Sequence, residues 1–294
     1  MNILLTGATG FLGAHLVPAL TQAGHSVIIL RRMSSSLRHI EGLPLTDYSL
    51  ETVSLDSIFQ RHTIDCVIHL ATDYGRRQNS DVSQLIAANI ALPARLLEAC
   101  SRSRCPFFIN THTDSPSMYT AYSATKHAFK ELIRYFTGNS TLRCVTMTLE
   151  YMYGEKDDTS KFIPAVITDM LQGHEIKLTS GEQRRDFIYV GDVVAAYMRL
   201  LCQLPRVTEP AMEFPVGTGS AVSIKECVFL IESILGIKAN LRWGSIPYRK
   251  NELFFAQADI THTSAFLDWQ PRMLLADGLR RTISWYKQGY DNGA

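Results

Sequence analysis

The stretch NILLTGATGFLG, residues 2–13, decides the fold of this chain of 294 residues. Its apolar beginning, Asn2–Leu5, predicts a buried strand, and Phe11–Ala23 predicts a helix that ends at Gly24. A glycine-rich turn joins the two. A strand, a turn and a helix in this order are the context in which such a glycine pattern indicates a binding site for a dinucleotide.

The glycines of this turn have separate roles. Gly7 permits the tight turn, Gly10 lets the backbone approach a pyrophosphate, and Gly13 lets the helix lie close to the sheet. The helix N-terminus then offers free N–H groups and a partial positive charge to that anion. A turn with a structural role alone is the alternative. The predicted cofactor contacts in this segment are Gly7, Thr9, Gly10, Phe11, Leu12 and Gly13.

Strand-like and helix-like patterns alternate up to about residue 150. The further predicted strands are Ser26–Leu30, Cys66–Leu70, Phe107–Asn110 and Cys144–Leu149, and the predicted helices are Leu55–Arg61, Ala87–Arg102 and Tyr122–Phe136. This alternation predicts an α/β fold with a doubly wound parallel sheet of the Rossmann type. We therefore expect an NADP-binding Rossmann domain at residues 1–150.

After residue 150 the pattern loosens. The predicted elements there are helices over residues 162–173, 192–204, 223–235 and 276–286 and a short strand over residues 176–178. We expect residues 151–294 to form a smaller, C-terminal α/β substrate-binding part, some segments of which return to the Rossmann sheet.

Composition and charge exclude several classes of protein. Lys and Arg number 29 against 28 Asp and Glu, so no net charge favours binding to nucleic acid or to an anionic membrane. Residues 1–30 lack Asp, Glu, Lys and Arg, but glycines at positions 7, 10 and 13 interrupt the apolar stretch and a basic n-region is missing, which argues against a signal peptide or membrane span. The six cysteines show neither a C-x-x-C pair nor metal-ligand spacing. We expect reduced thiols, no metal and a cytoplasmic location, and the oligomeric state stays open, a homodimer included.

The end of the second predicted strand indicates which cofactor binds. An NAD site usually has Asp or Glu there to accept from the ribose 2′-hydroxyl, whereas Arg favours a 2′-phosphate. This chain has Arg31 and Arg32, followed by three serines. The planar guanidinium group suits phosphate, so we predict NADP(H). A solvated basic loop is the alternative.

The segment Tyr122–Lys126, YSATK, places a tyrosine and a lysine four residues apart on one face of a predicted helix. A nearby ammonium group stabilises a phenolate, so Tyr122 could exchange a proton with a carbonyl or hydroxyl group near neutral pH. Lys126 could also hold a cofactor ribose. Because this spacing is common by chance, the pair gains weight only from the glycine turn and the strand that precede it.

Polar residues follow the predicted strand FFIN. They should face the ligand crevice, because ligands of such sheets bind beyond the carboxyl ends of the parallel strands. Thr113 is the predicted partner of Tyr122 at the substrate oxygen, with Thr111 as the fallback. Asp114 could be a further acid or could cap a turn. His112 should point away from the site, because side chains alternate along an extended segment.

Four motifs in order carry a family resemblance: TGATGFLG at 6–13, VIHLA at 67–71, YSATK at 122–126 and RRDFIYVGDV at 184–193. They resemble the extended short-chain dehydrogenase/reductase family, the NAD-dependent epimerase/dehydratase family, whose members act on nucleotide-diphosphate sugars. Only eight residues separate Thr113 from Tyr122, which is short for the family. This short spacing and the stretches 74–98, 108–126 and 177–193 are similar to those of CDP-paratose and CDP-abequose synthases. Those enzymes are NADPH-dependent reductases of a CDP-4-keto-3,6-dideoxyhexose in O-antigen and lipopolysaccharide synthesis.

The resemblance implies roles for individual residues. Thr113, Tyr122 and Lys126 match the catalytic triad, Leu70 and Ala71 the segment along the cofactor, and Asn89 an Asn on the helix behind the site. Of these, we expect Leu70, Ala71, Asn89, Tyr122 and Lys126 to contact the cofactor. The segment of Arg185 and Asp186 lies near the nucleotide-sugar pocket, and Arg249 falls where the family often has a diphosphate-binding Arg. The substrate contacts that we predict are Tyr74, Asp114, Tyr151, Lys177, Arg185 and Arg249. An ion pair with Asp186 or another acid is the alternative role for Arg185.

Two departures from the family pattern affect the expected reaction. Tyr151 replaces an Asn that shapes the sugar pocket, so the sugar stays open. Ser115 stands where a dehydratase would have the Glu that removes a proton beside the ketone, which argues against dehydration. The resemblance thus implies reduction of a nucleotide-linked 4-keto-deoxyhexose. The alternatives are an NAD-dependent nucleotide-sugar 4-epimerase and a non-catalytic NADP-sensing protein.

Overall fold

The structure, a computed structural model, describes residues 1–75 and 81–291. The chain divides into two compact units. The first comprises Met1–Leu149 and Tyr197–Pro215, and the second comprises Glu150–Ala196 and the chain from Val216 onward.

The elements follow the chain in this order. The strands are β1 (Asn2–Thr6), β2 (Ser26–Arg31), β3 (Leu45–Ser49), β4 (Cys66–His69), β5 (Phe107–Thr113), β6 (Arg143–Leu149), β7 (Tyr151–Tyr153), β8 (Ile176–Lys177), β9 (Arg184–Tyr189), β10 (Ala211–Val216), β11 (Ala221–Ser223) and β12 (Leu241–Arg242). The α-helices are α1 (Gly13–Gln22), α2 (Leu55–Arg61), α3 (Val82–Ile86), α4 (Leu92–Arg102), α5 (Ala121–Gly138), α6 (Phe162–Gln172), α7 (Val190–Gln203), α8 (Ile224–Leu235), α9 (Thr261–Leu267) and α10 (Leu275–Asp291). A π-helical segment, Ala87–Ala91, joins α3 to α4, and a short 3₁₀ helix, Leu204–Arg206, follows α7.

A seven-stranded sheet forms the centre of the first unit, in the order β10-β6-β5-β4-β1-β2-β3. The pairs from β6 to β3 are parallel. The strand order reverses between β1 and β4, which is the point where open α/β sheets bind ligands beyond the carboxyl ends of their strands. The predicted doubly wound parallel sheet is therefore confirmed.

The central strands of this sheet are buried on both faces. Ile3, Leu5 and Ile68, for example, have no exposed surface, and such strands have nearly continuous apolar sequences. Helices α4 and α5 cover β5, and the rings of Phe108 on β5 and Phe129 on α5 lie 6.3 Å apart. Fully burying a side chain of this size contributes roughly 1.5–3 kcal/mol. This packing fixes α5, the helix that carries Tyr122, against the sheet.

The second unit contains two small sheets. In one, β9 pairs with β7 in parallel and with β11 in antiparallel direction; in the other, β8 pairs with β12 in parallel. Helix α10 packs against α6, α8 and β9. The hydroxyl of Tyr153 donates to the Leu275 carbonyl (3.3 Å), and the indole of Trp269 donates to the Asp192 carbonyl (3.1 Å).

Several elements differ from the sequence expectation. The helix expected at residues 87–102 begins earlier, at Val82, and contains the π-helical segment. Six strands, β3, β7, β9, β10, β11 and β12, and helix α9 had not been expected. Strand β10 extends the edge of the seven-stranded sheet beside β6, where the Cys144 amide donates to the Pro210 carbonyl (2.9 Å). Within the described ranges, no helix is both long and apolar enough to span a membrane.

Candidate active site

The turn after β1 has the geometry that its glycines predict. Gly7 has a φ of +74°, and a Cβ there would lie 2.5 Å from the Ala71 nitrogen. A Cβ on Gly13 would overlap the carbonyl oxygens of Gly7 and Ala8, so this glycine is needed by the turn itself. Gly10 is exposed, and its Cβ would meet only the Gly7 oxygen, at 3.4 Å. Because the fold hardly requires glycine at position 10, its open side suits a ligand that approaches the backbone, as a dinucleotide pyrophosphate does.

The two arginines after β2 are in different situations. Arg31 donates from Nε and Nη2 to the Asp47 carboxylate, at 3.0 and 2.7 Å, and from Nη1 to the carbonyls of Arg32, Met33 and Ser35. The hydrogen bonds with Asp47 raise the pKa of Arg31. Arg32 is exposed. Arg31 thus shapes the loop through a partner that the sequence analysis missed, and Arg32 is the more accessible cation.

The segment after β4 is tied to β1. The Leu70 amide donates to the Thr6 carbonyl (3.1 Å), and the Ala71 amide donates to the Thr6 hydroxyl (3.4 Å). The same hydroxyl lies 2.7 Å from Nδ1 of the buried His69. Leu70 and Ala71 are half-buried and lie beside the glycine turn. This position agrees with the expectation that the two residues lie along the cofactor.

Asn89 lies in the π-helical segment and is fully buried. Its Oδ1 accepts from the Thr72 hydroxyl (3.1 Å) and the Asp73 amide (2.8 Å). Its Nδ2 donates to the Asp73 carbonyl (2.9 Å) and the Thr125 hydroxyl (3.0 Å). Both ends of the amide are thus engaged with protein atoms, and Asn89 connects the loop after β4 to helix α5. This geometry favours a structural role over the predicted direct contact with the cofactor.

The YSATK segment begins helix α5, and its small residues secure the helix. Thr120 and Ser123 form a reciprocal capping box, with the Ser123 amide donating to the Thr120 hydroxyl (3.0 Å) and the Thr120 amide to the Ser123 hydroxyl (2.9 Å). The Thr125 hydroxyl donates to the Tyr122 carbonyl (2.7 Å) and accepts from Asn89. Tyr122 and Lys126 therefore lie one turn apart at the start of a capped helix.

Lys126 is almost fully buried, with 2% of its surface exposed. Burial penalises the charged ammonium and lowers the pKa of Lys126 to about 8. Tyr122 is half-buried, and the ring of Tyr74, which is 39% exposed, lies 4.9 Å from the Tyr122 ring. The structure therefore brings together Tyr74, Tyr122 and the helix that holds Lys126.

The end of β5 presents the predicted third member of the triad. The Thr113 hydroxyl accepts from the Ser115 amide (3.2 Å) and is half-buried. The hydroxyl of Thr111, the alternative candidate for this role, shares a hydrogen bond with the buried Tyr197 hydroxyl (2.6 Å). His112 is buried on the opposite face of β5, with its ring 4.7 Å from that of His127 on α5. Asp114 is exposed, and its amide donates to the Leu149 carbonyl (3.3 Å).

The other predicted substrate residues belong to the second unit. Arg185 forms a buried ion pair with Glu252 (2.9 Å), with 5% and 7% of the side chains exposed. Its guanidinium also stacks over the ring of Tyr151, at 5.2 Å. Arg249 and Lys177 are exposed. An ion pair was the alternative role for Arg185, and its partner is Glu252.

Asp186, the neighbour of Arg185, is buried and has a different role. Its carboxylate accepts from the Thr218 hydroxyl and from the amides of Thr218 (2.8 Å) and Gly219 (2.9 Å). A buried carboxylate is stable when N–H and O–H groups surround it in this way. Asp186 thus holds the loop after β10 inside the second unit.

Sequence reasoning missed Asp47, Glu252 and His127, which contact Arg31, Arg185 and the Ser115 carbonyl, respectively. Asp47 and Glu252 are remote in sequence from their arginines, and no local spacing signals either pair. His127 follows the predicted site residue Lys126 directly, so its place on helix α5 was available as a signal. Among the described residues, no group of three or more His, Cys, Asp or Glu side chains could hold a metal ion.

A Rossmann sheet with a glycine turn at its switch point, and a Tyr–Lys pair on a helix beyond β5, define a protein of the short-chain dehydrogenase/reductase type. The model of the NAD dependent epimerase/dehydratase family matches residues 3–212. The chain belongs to this family, as its motifs predicted.

Individual relatives agree with this assignment. The CDP-abequose synthase of Salmonella muenchen is 31% identical over 292 residues, which cover 96% of this chain and 97% of that protein. A solved structure of MoeE5 with UDP-glucuronic acid and NAD is 26% identical, has a TM-score of 0.86 and covers 98% of this chain and 100% of that one. The UDP-glucuronic acid 4-epimerase of Bacillus cereus, at 24% identity and a TM-score of 0.87, covers 99% of this chain and 100% of its own and shares the fold.

Proposed function

We propose that this protein is an NADPH-dependent reductase of a nucleotide-linked 4-keto-deoxyhexose, with a CDP-linked 4-keto-3,6-dideoxyhexose as the preferred substrate. The observation that carries the proposal is the buried Lys126 one helical turn from Tyr122, with the Thr113 hydroxyl at the end of β5. Similarity to a CDP-abequose synthase over 96% of the chain supports the substrate class.

Each member of the triad has a separate task. The reduced nicotinamide, when bound, would supply hydride to C4 of the sugar. Tyr122 would deliver a proton to the oxygen on C4, and the Thr113 hydroxyl would donate a hydrogen bond to the same oxygen. Lys126 in its charged form would stabilise the tyrosinate left behind and hold the cofactor ribose. The pKa of Lys126, lowered by burial to about 8, leaves it mostly charged at neutral pH.

The residues of the second unit would bind the remote part of the substrate. Arg249 and Lys177 are exposed and can approach a diphosphate. Arg185 would have to leave Glu252 to bind the diphosphate. We therefore assign it the role of holding the ring of Tyr151, the residue at the position that shapes the sugar pocket in the family. Binding energy from the nucleotide would then serve to orient the keto group.

One observation favours a second candidate, an NAD-dependent 4-epimerase. Arg31, one of the two arginines that suggest NADP, is engaged with Asp47. An epimerase would use the same triad, keep NAD tightly bound and return the hydride to the same sugar. We favour the reductase because the exposed Arg32 remains for a 2′-phosphate.

The decisive experiment incubates the purified protein with NADPH or NADH and a panel of CDP-, dTDP- and GDP-linked 4-keto sugars. Oxidation of the cofactor is followed by absorbance, and NMR gives the configuration at C4 of the product. We expect turnover with NADPH, fastest with a CDP-linked sugar. Tightly bound NAD that survives purification, together with no NADPH consumption on any sugar, would support the epimerase instead.

The tyrosine variant links this activity to the site. Tyr122→Phe should reduce kcat by at least about 1,000-fold, because it removes the proton donor, and should leave NADPH binding intact. Tyr135→Phe, on the same helix but 66% exposed, is the matched control and should keep full activity. NADPH binding without Tyr122-dependent turnover of any sugar would favour the sensing protein.

A further inference from the structure

The loop that joins Thr113 to Tyr122 is held at both ends. At its C-terminal end, the Ser123 hydroxyl donates to the carbonyls of Ser117 (3.4 Å) and Thr120 (2.9 Å). At its N-terminal end, Ser115 is held through both of its backbone groups. Its amide donates to the Thr113 hydroxyl (3.2 Å), and its carbonyl lies 3.0 Å from Nε2 of His127.

The hydrogen bond between His127 and Ser115 can have only one direction. A carbonyl oxygen can accept but cannot donate, so Nε2 of His127 must carry the hydrogen. Pro116 follows Ser115, and a residue before proline is restricted to extended conformations. With its carbonyl held by His127 and its conformation limited by Pro116, Ser115 can direct its amide at Thr113 in only a narrow range of orientations.

The amide of Ser115 determines which way the Thr113 hydroxyl can point. A hydroxyl group has one hydrogen and two lone pairs. One lone pair of Thr113 is engaged by the Ser115 amide, so the hydrogen points elsewhere. In the proposed reaction Thr113 must donate that hydrogen to the substrate oxygen, so the Ser115 contact selects the productive arrangement.

The ring of His127 is itself held by His112. The two rings meet edge to face, with 4.7 Å between centroids and 77° between planes. His112 is 3% exposed, and burial together with the nearby Lys126, His127 and Lys130 lowers its pKa to about 3. A neutral, buried His112 therefore provides a fixed surface for the His127 ring.

We propose that His127 is a positioning residue that, through the Ser115 backbone, orients the Thr113 hydroxyl toward the oxygen on which the triad acts. The inference rests on the proposed function, because it takes Thr113 as a hydrogen-bond donor to that oxygen. Its structural part concerns His127, Ser115 and Thr113 alone and can be measured without any substrate.

The first experiment measures this structural part. Two-dimensional ¹⁵N NMR of the histidine side chains should find the His127 ring with its hydrogen on Nε2. The Ser115 amide should exchange with solvent at least about tenfold faster in His127→Phe, while amides in the middle of α5 keep their rates. A hydrogen on Nδ1 alone, or unchanged exchange at Ser115, would overturn the proposal whatever the enzyme does.

The second experiment measures the catalytic part with the sugar nucleotide and NADPH. His127→Phe keeps the ring but loses the donor, and it should lower kcat about tenfold with KM and NADPH affinity within about twofold of wild type. His127→Gln, which still offers an N–H, should recover most of the lost kcat. A general loss of stability would instead lower the kcat of His127→Phe and of His127→Gln to the same extent.

A double-mutant cycle tests whether His127 acts through Thr113. Thr113→Val alone should lower kcat by about 100-fold. Adding His127→Phe to Thr113→Val should change kcat by less than about twofold, because the hydroxyl that His127 orients is gone. Multiplicative losses would overturn the proposal. If wild-type protein turns over no sugar, the proposed function fails, and the NMR and exchange measurements still decide the role of His127.

Discussion

Lys126 is a charged side chain in a place that disfavours charge. Only 2% of its surface is exposed, and this burial lowers its pKa from an ordinary 10.5 to about 8. Active sites commonly accept such a loss of stability in return for function. The size of the loss follows from the shift, because one pKa unit corresponds to about 1.4 kcal/mol.

The burial of Lys126 predicts a stability that depends on pH. The folded state binds the proton less tightly than the unfolded state, so the penalty is fully present below pH 8 and disappears as the pH rises toward 10.5. Lys126→Met should therefore raise the free energy of unfolding by about 3 kcal/mol at pH 7 and by about half as much at pH 9.5. Urea denaturation of the protein without cofactor measures both values.

A control separates this effect from a general gain in apolar surface. Lys287→Met replaces an exposed lysine on α10 and should change the free energy of unfolding by less than about 0.5 kcal/mol at either pH. Equal stability of Lys126→Met and wild type at pH 7 would show that Lys126 is not penalised by its burial.

The arginines after β2 predict how the protein selects its cofactor. Arg32→Ala should raise KM for NADPH about tenfold and leave KM for NADH within about twofold, because an exposed guanidinium on the 2′-phosphate is lost. Arg31→Asp should also lower the preference for NADPH, but it places a second carboxylate beside Asp47 and disturbs the loop as well. Arg61→Ala, an exposed arginine on α2, is the control. An unchanged NADPH/NADH ratio in Arg32→Ala would argue against the NADP assignment.

At the scale of one residue, the sequence indicates candidate site residues but few of their partners. Tyr122 and Lys126 were predictable because a helix places residues four apart on one face. Arg31 was expected to meet a ligand, yet it meets Asp47, which lies on the neighbouring strand β3. Contacts of this kind depend on strand order and register, and neither is encoded in a local spacing.

The segment from α3 through the π-helical turn to α4 is the element that connects the loop after β4 to helix α5. A π-helical turn inserts an extra residue and is often found at functional sites. Here it contains Asn89, whose amide joins Asp73 to Thr125. The loop after β4 and the start of α5 are thereby fixed relative to each other.

Loss of the Asn89 side chain should loosen both elements at once. Asn89→Ala removes four hydrogen bonds, one of them buried and three partly buried, so we expect the free energy of unfolding to fall by about 2–3 kcal/mol. The kcat should fall about tenfold, because the start of α5, which carries Tyr122, is no longer fixed to the loop after β4. Chemical denaturation and steady-state kinetics measure the two effects.

The control for Asn89 is an exposed Asn whose side-chain amide donates to a backbone carbonyl. Asn139, at the end of α5, donates to the Tyr135 carbonyl (2.7 Å), and Asn139→Ala should lose no more than about 1 kcal/mol. If Asn89→Ala keeps wild-type kcat, Asn89 contributes to stability alone.

The elements that the sequence could predict are those with strong internal patterns. Strands β1, β2, β4 and β6 are apolar runs, because each is buried on both faces of the sheet. Strand β3 has the sequence LTDYS at the edge of the sheet, and β9 begins with two arginines and an aspartate, so neither has an apolar run. Strands β11 and β12, of three and two residues, form through pairing with partners remote in sequence, whereas the short strand expected at residues 176–178 is present as β8.

At the scale of the whole molecule, charge is balanced although the proposed substrate and cofactor are anions. Lys and Arg exceed Asp and Glu by one. Long-range attraction of anions requires a net field, which this composition does not supply, and charges beyond roughly 10 Å are screened at 0.1 M salt. The sequence alone supports this conclusion, because it depends on composition. Recognition of the diphosphate must therefore depend on a few nearby cations, of which Arg249 and Lys177 are exposed.

Balanced charge predicts a weak dependence of substrate capture on salt. We expect kcat/KM for the sugar nucleotide to fall less than about threefold between roughly 50 and 300 mM NaCl, because only short-range contacts are involved. Arg249→Gln should lower kcat/KM about tenfold at low salt by raising KM, and the remaining salt dependence should be shallower than in wild type. Glu41→Gln, at an exposed acid, changes net charge by the same amount in the opposite direction, and it should leave kcat/KM within about twofold. A fall of more than about tenfold with salt in wild type would instead indicate a concentrated positive field around the site, which the balanced composition conceals.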